Sequence, residues 1–199
     1  MIYAISILLG YLLGSIPFAL VIGLVFYKTD IRKHGSGNLG GTNAGRTLGK
    51  KAGIAVIACD AFKCMIPVGI IAQFSPEASI WCGLAACVGH CYPIFANFKG
   101  GKAAASMFGF LLAISIFTAQ NLLCFLIPFG CFFITLYLSK MVSLSSMVAA
   151  VTSTISLVII KQPTLVIIAS FLLAILIIYR HKDNIDRIKN GTERKITWM

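Results

Sequence analysis

The sequence predicts an all-α polytopic membrane protein of about seven transmembrane helices, N-terminus outside and C-terminus cytoplasmic. It is read as a single domain over residues 1–199. Two observations carry this. The 199 residues are 58% hydrophobic and only 12% charged, too few polar groups to cover a water-facing domain of this size, so the bilayer is the main solvent. The cations, moreover, are not scattered: they fall between alternate apolar runs.

Taken in order, the first apolar run covers residues 2–26. It has no Lys or Arg before Lys28 and no small-residue cleavage site, and so is read as one retained helix rather than a signal peptide. A Gly, Asn and basic segment follows, residues 27–53. Apolar runs at 54–74 and 80–95 flank the short polar turn Ser75-Pro76-Glu77. A second basic Gly segment, 97–102, leads into about 36 apolar residues, too many for one span and enough for two, with a turn at residues 118–121. Residues 139–146 form a short connection before the run 147–160. Lys161-Gln162-Pro163 then turns the chain into the run 164–179, and a charged tail closes it. With the N-terminus outside, fifteen of the seventeen Lys and Arg fall in residues 27–53, 96–102, 139–146 and 180–199; Lys161 is left outside and Lys63 within a span. That asymmetry is the positive-inside pattern, and it absorbs the net charge of +11 that would otherwise suggest nucleic acid. No nucleic-acid partner is expected. The seven cysteines are odd in number, lie in apolar runs and form no C-x-x-C pair, so they read as small buried hydrophobes; no metal site is expected.

Orientation explains Lys and Arg near helix ends, but not the composition of residues 34–46. Gly35, Ser36, Gly37, Asn38, Gly40, Gly41, Thr42, Asn43 and Arg46 make a loop whose backbone can approach an anion closely and whose side chains donate to it. A helix is expected to start near Asn43, adding its positive end. The stretch 35–40 matches G-x-G-x-x-G, but no strand precedes it, and the octet 35–42 lacks the lysine of a P-loop; both readings are refused. The second basic loop brings His90, Lys99, Gly100, Gly101 and Lys102 to a membrane edge, a second compact anion pocket. Asp60 and Lys63 are three apart on one helical face, an ion pair with structural and functional readings both open. Ser143 lies in a third turn, and His181, Asn184 and Asp186 in the tail. His181 and Asp186 have the H-x4-D spacing of another acyltransferase class, a chance match in so short a tail.

Three blocks resemble the bacterial acyl-phosphate:glycerol-3-phosphate acyltransferases, the PlsY family. They are Gly-Ser-Gly-Asn-Leu-Gly-Gly-Thr-Asn-Ala-Gly-Arg at 35–46, Gly-His…Phe-Lys-Gly-Gly-Lys at 89–102 and Tyr-Arg-His-Lys-Asp-Asn-Ile…Gly-Thr-Glu at 179–193. The likeness covers nearly the whole chain, with two departures: Ala103-Ala104-Ala105-Ser106 where the family pattern has Gly-Val-Ala-Thr, and Ser145 where it has glycine. The resemblance implies acyl transfer from acyl phosphate to the 1-hydroxyl of glycerol 3-phosphate, giving lysophosphatidic acid in an early step of phospholipid synthesis. It implies the bacterial inner membrane with the site at its cytoplasmic face, no cofactor, and a functional link to the enzyme that makes acyl phosphate. Ser36, Arg46, Lys102 and His181 are then the expected catalytic residues. Gly37, Asn38, Gly40, Thr42, Asn43, His90, Lys99, Gly100, Gly101, Ser143 and Asn184 would bind substrate, while Asp60, Lys63 and Glu193 are structural, Glu193 by pairing with a cation. Two rivals remain: an anion transporter, disfavoured by a polar-poor midplane, and an acyl-CoA enzyme using His181 and Asp186 as a dyad. In a background without native cysteines, a cysteine at Gly40 is expected to be protected from external thiol reagent and one at Glu77 to react. The reverse would overturn the orientation.

Overall fold

The structure is a computed structural model, described for residues 1–196. All regular elements among these residues are helical: α1 Ile2–Gly14, α2 Phe18–Tyr27, α3 Gly41–Leu48, α4 Lys50–Ala72, α5 Pro76–Cys91, α6 Ala104–Ala113, α7 Leu123–Ser139, α8 Val142–Ile159, α9 Thr164–Arg180 and α10 Lys182–Lys189, with short 3-10 and π turns between them. Large apolar side chains such as Leu8, Ile54, Ile66, Phe74, Ile134 and Leu138 point outward, as a lipid-facing surface requires. Four units are long and apolar enough to cross a membrane: Ile2–Tyr27, Lys50–Ala72, Pro76–Ala96 and Val142–Ile159. The α9–α10 pair, bent by 59°, makes a fifth when counted as one span; Ala104–Thr118 and Leu123–Ser139 are shorter apolar helices.

Four boundaries differ from the sequence expectation, one of them the start of α8, at Val142 within the expected connection 139–146. The first run is not one continuous helix but α1 and α2, interrupted at residues 15–17. Pro17 has no N–H to give to the Leu13 carbonyl, which instead accepts from Ile16 at 3.2 Å, and the helix restarts at Phe18. Helix α4 starts at Lys50 rather than 54, and α5 at Pro76, where Ser75 caps it by accepting from the Ala78 N–H at 3.2 Å. The expected turn at 118–121 is present, with the Asn121 side chain accepting from the Leu123 N–H at 3.0 Å.

Helices α1 and α5 pack along each other through Gly10 and Gly14, four apart on one face. A Cβ on either would collide with the backbone of α5, at Cys82 and Ala86 respectively. Close backbone approach of this kind drives association where lipid removes the hydrophobic contrast between helices. The consequence for the site is positional: the N-terminal span is locked to the helix whose last turn carries His90. The four segments expected to be cytoplasmic all meet at one end of the bundle. Asn38 donates to the Gly100 carbonyl at 3.4 Å, joining the two Gly loops. The Ile196 N–H donates to the Lys140 carbonyl at 2.8 Å, joining the tail to the α7–α8 turn.

Gly14→Ala is expected to lower thermal stability in detergent by about 1–3 kcal/mol, because the Ala86 backbone cannot yield. Gly130→Ala on α7, where nothing lies within 4 Å of the added methyl, is expected to be neutral or slightly stabilising. Equal melting shifts for the two would contradict the tight α1–α5 seam.

Candidate active site

The site is built where the tail folds back over the second Gly loop. Lys102, half-buried in the turn before α6, donates to Asn184 Oδ1. Asn184, buried on α10, passes the bond on: its Nδ2 donates to Glu193 Oε1 at 2.7 Å. Ser143, in the first turn of α8, donates to the same oxygen at 2.7 Å, and Arg187 Nε to Glu193 Oε2 at 2.7 Å. Burial pushes the Glu193 carboxyl up, but the three donors more than offset it and hold it below the usual carboxylate range. Its oxygens are thereby committed to protein donors and leave no free base.

Around Glu193 stand more cations than it and the neighbouring Asp183 can neutralise. Burial lowers Lys102 first, and the nearby charge of Arg187 lowers it further; Arg46 is lowered by partial burial and then by Arg194. Each ammonium or guanidinium would be relieved by an anion, so the end of the bundle is electrostatically incomplete as it stands.

His181, at the α9–α10 junction, sets a second feature. Its Nδ1 lies 2.8 Å from the Ile177 carbonyl. A carbonyl oxygen only accepts, so Nδ1 carries the proton and Nε2 keeps the lone pair. Burial is the largest cause, with the charge of Lys102 contributing, that takes its pKa down to about 4, so the ring is neutral at neutral pH. Asp186 is exposed and Nδ1 is already taken, so the two do not form the dyad of the H-x4-D reading.

The other sequence-derived residues divide by position. Ser36, Thr42 and Arg46 are exposed on the first loop and its helix, with Gly37, Asn38 and Gly40 half-covered beside them. Asn43 turns inward. Its Nδ2 reaches the carbonyls of His34 and Asn38 at 3.1 Å and its Oδ1 accepts the Ser36 N–H at 2.9 Å. It therefore shapes the loop from within, with no donor left over. Gly100 and Gly101 are buried and Lys99 is exposed. His90 sits beneath the loop rather than on its face, 3.4 Å from Asp60, which forms the expected pair with Lys63 at 2.8 Å.

Sequence reasoning missed Arg180. Its Nε and Nη2 each donate at 3.1 Å, to the carbonyls of Gly101 and Gly100, while the guanidinium lies 5.0 Å over the Tyr92 ring. It also missed Arg187 and Arg194 as members of the cation cluster. All three were absorbed by the positive-inside count, which assigns a cation to a side and not to a partner. Among the described residues no group of three His, Cys, Asp or Glu could hold a metal.

A family model described as Glycerol-3-phosphate acyltransferase matches residues 4–191. The chain is 49% identical over 189 residues to a glycerol-3-phosphate acyltransferase of Bacillus cereus (strain G9842), covering 94% of this chain and 92% of that one. It is 46% identical over 196 residues to a glycerol-3-phosphate acyltransferase of Geobacillus kaustophilus (strain HTA426), covering 98% and 96%. Two crystal structures of PlsY (YgiH), an integral membrane glycerol 3-phosphate acyltransferase, share the fold. The glycerol 3-phosphate form has a TM-score of 0.91 at 35% identity, over 98% of this chain and 96% of that one. The lysophosphatidic acid form has 0.87 at 34%, over 98% and 95%. With matches along almost its full length in both sequence and fold, this multi-pass membrane chain belongs to the glycerol-3-phosphate acyltransferase family and is an acyltransferase.

Proposed function

We propose that the chain transfers a fatty acyl group from acyl phosphate to the 1-hydroxyl of glycerol 3-phosphate, giving lysophosphatidic acid and phosphate. It would act at the cytoplasmic face of the bacterial inner membrane, with seven spans, the N-terminus outside and the C-terminus inside. The observation that carries this reading is the surplus of cations at one end of the bundle: Lys102, Arg46, Arg187 and Arg194 outnumber Glu193, whose oxygens are already engaged, and Asp183. A pocket for phosphate needs that imbalance, and both substrates of the proposed reaction carry phosphate.

The chemistry asks little more. The glycerol hydroxyl oxygen attacks the acyl carbonyl carbon, the bond from that carbon to the phosphate oxygen breaks, and the hydroxyl proton ends on the departing phosphate. Phosphate is a ready leaving group, so positioning and charge stabilisation account for the catalysis. Lys102 and Arg46 would hold the phosphates, with Ser36, Thr42 and the N–H groups around Gly37, Asn38 and Gly40 completing the first loop, and Gly100 and Gly101 the second. Lys99 would draw anions toward the site from outside. Neutral His181, with Nε2 as acceptor, would orient the hydroxyl. Acyl phosphate has to be made by a partner enzyme, and the functional link to that enzyme follows from the donor.

The donor is tested with purified protein in detergent given glycerol 3-phosphate and either acyl phosphate or acyl-CoA, in excess chelator. Lysophosphatidic acid is expected from acyl phosphate alone and at full rate; product from acyl-CoA only, or a divalent-cation requirement, would overturn the proposed reaction. The tail gives a sharper residue test. Asn184→Ala leaves Lys102 without its side-chain acceptor and takes one of three donors from Glu193; it is expected to lose at least tenfold in kcat/KM, about 1.4 kcal/mol. Asp186→Ala is expected to stay within about threefold, since removing an exposed carboxylate near an anion site costs little. Lys102→Ala is expected to cost roughly 2–4 kcal/mol in the transition state, while Lys161→Ala at the other end is silent.

A further inference from the structure

Three ionisable side chains lie buried inside the bundle. Asp60 and Lys63 stand one turn apart on α4, and His90 meets them from the last turn of α5; they are 1%, 7% and 5% exposed. Lys63 Nζ is 2.8 Å from Asp60 Oδ1 and donates at 2.9 Å to the carbonyl of Ile16, in the break between α1 and α2. His90 Nδ1 lies 3.4 Å from the same Asp60 oxygen. Neither that oxygen nor His90 Nδ1 makes an aligned hydrogen bond to any described residue. Ionisable groups at this depth are costly, and exchanging a buried pair for apolar residues is often neutral or stabilising. Stability alone therefore gives no account of the cluster.

What the cluster touches does. The opposite edge of the His90 ring lies against Gly101: a Cβ there would collide with Nε2. The His90 carbonyl accepts the Gly101 N–H at 3.0 Å, and Gly101 is followed directly by Lys102. On the other side of the turn, Ser106 on α6 donates at 3.1 Å to the Asp60 carbonyl. The imidazole is thus held between Asp60 and the Gly100–Lys102 turn.

We infer that Asp60, Lys63 and His90 are positioning residues that set the height of this turn and so aim Lys102 at the phosphate site. The inference rests on the reading of Lys102 as a phosphate ligand. Asp60 and Lys63 act only through His90, and none of the three touches substrate.

Asp60→Leu/Lys63→Met removes both charges together and is expected to keep the parental melting temperature within a few degrees. Its kcat/KM for glycerol 3-phosphate is expected to fall at least tenfold. His90→Phe keeps the ring volume but removes the imidazole nitrogen that faces Asp60, and a similar loss is expected with the fold intact. The signature is non-additivity: His90→Phe placed in the Asp60→Leu/Lys63→Met background is expected to cost less than threefold more. Full activity in folded His90→Phe, or losses that multiply, would overturn the inference; if the double variant fails to fold, His90→Phe alone decides. Calorimetric binding of glycerol 3-phosphate without any donor separates this from the choice of acyl donor. If acyl phosphate is the wrong donor, the variants still bind glycerol 3-phosphate more weakly than the parent; unchanged binding together with unchanged turnover sinks the positioning role.

Discussion

Glu193 accepts hydrogen bonds from Ser143 on α8, Asn184 on α10 and Arg187 one turn further along, all at 2.7 Å. The site end of the molecule depends on this convergence. The tail would otherwise be a short amphipathic helix and a few polar residues at the mouth of a bundle, with too little apolar surface of its own to fold down. The carboxylate draws the tail across the opening, and in doing so sets Asn184 where it can receive Lys102 from the second Gly loop. A charge-assisted network with every member occupied is worth more than its pairs taken singly. It also fixes the sign of what is left: with its oxygens spent on three donors, Glu193 cannot neutralise Arg46, Lys102 and Arg194 as well.

The molecule holds two ionic centres built on opposite principles. In the bundle, Asp60 and Lys63 are matched one to one and shut away from water, as a charge in apolar surroundings must be. At the rim, cations outnumber the carboxylates of Glu193 and Asp183 and are left partly open. The first arrangement is balanced in charge; the second carries a cation surplus that would recruit an anion. His90 is where they meet, since its ring faces Asp60 on one side and Gly101 on the other.

Most of this was legible as segments and little of it as contacts. Hydropathy and charge placed the apolar helices and the four basic segments, and the density of Gly, Asn, Ser and Lys marked both loops. The Asp60–Lys63 pair followed from a spacing of three, and the cation partner of Glu193 from its setting. What stayed hidden depends on where a side chain turns. Asn43 was grouped with the donors of its loop, but four bonds to the loop's own backbone make it the loop's scaffold. Arg180 looked like one more orienting cation, whereas it clamps two carbonyls of the other loop. The break at Pro17 was there to be read, because a proline in mid-helix leaves a carbonyl without its donor. Ala103, a small-for-small departure from the family's glycine, sits at φ 59° and ψ 12°, a left-handed position where a side chain costs about 1 kcal/mol or more. Backbone sign of this kind has no signature in composition.

The state of His181 bears on how the proposed transfer could handle its proton. In the free protein the ring is neutral, held down to about 4 by burial first and by the charge of Lys102 as well. A base that weak orients a hydroxyl but scarcely deprotonates it. A phosphate seated against Lys102 would cancel the second of those causes, and its own negative charge would raise the imidazole further. Substrate binding would therefore move His181 toward the range where it can take a share of the hydroxyl proton, at the step when the new ester bond forms. The leaving phosphate gains basicity as its bond to the acyl carbon breaks, so the proton has a final acceptor without leaving the site. On this reading the cation surplus binds the anions, while burial first, and the charge of Lys102 after it, keep the histidine neutral before they arrive.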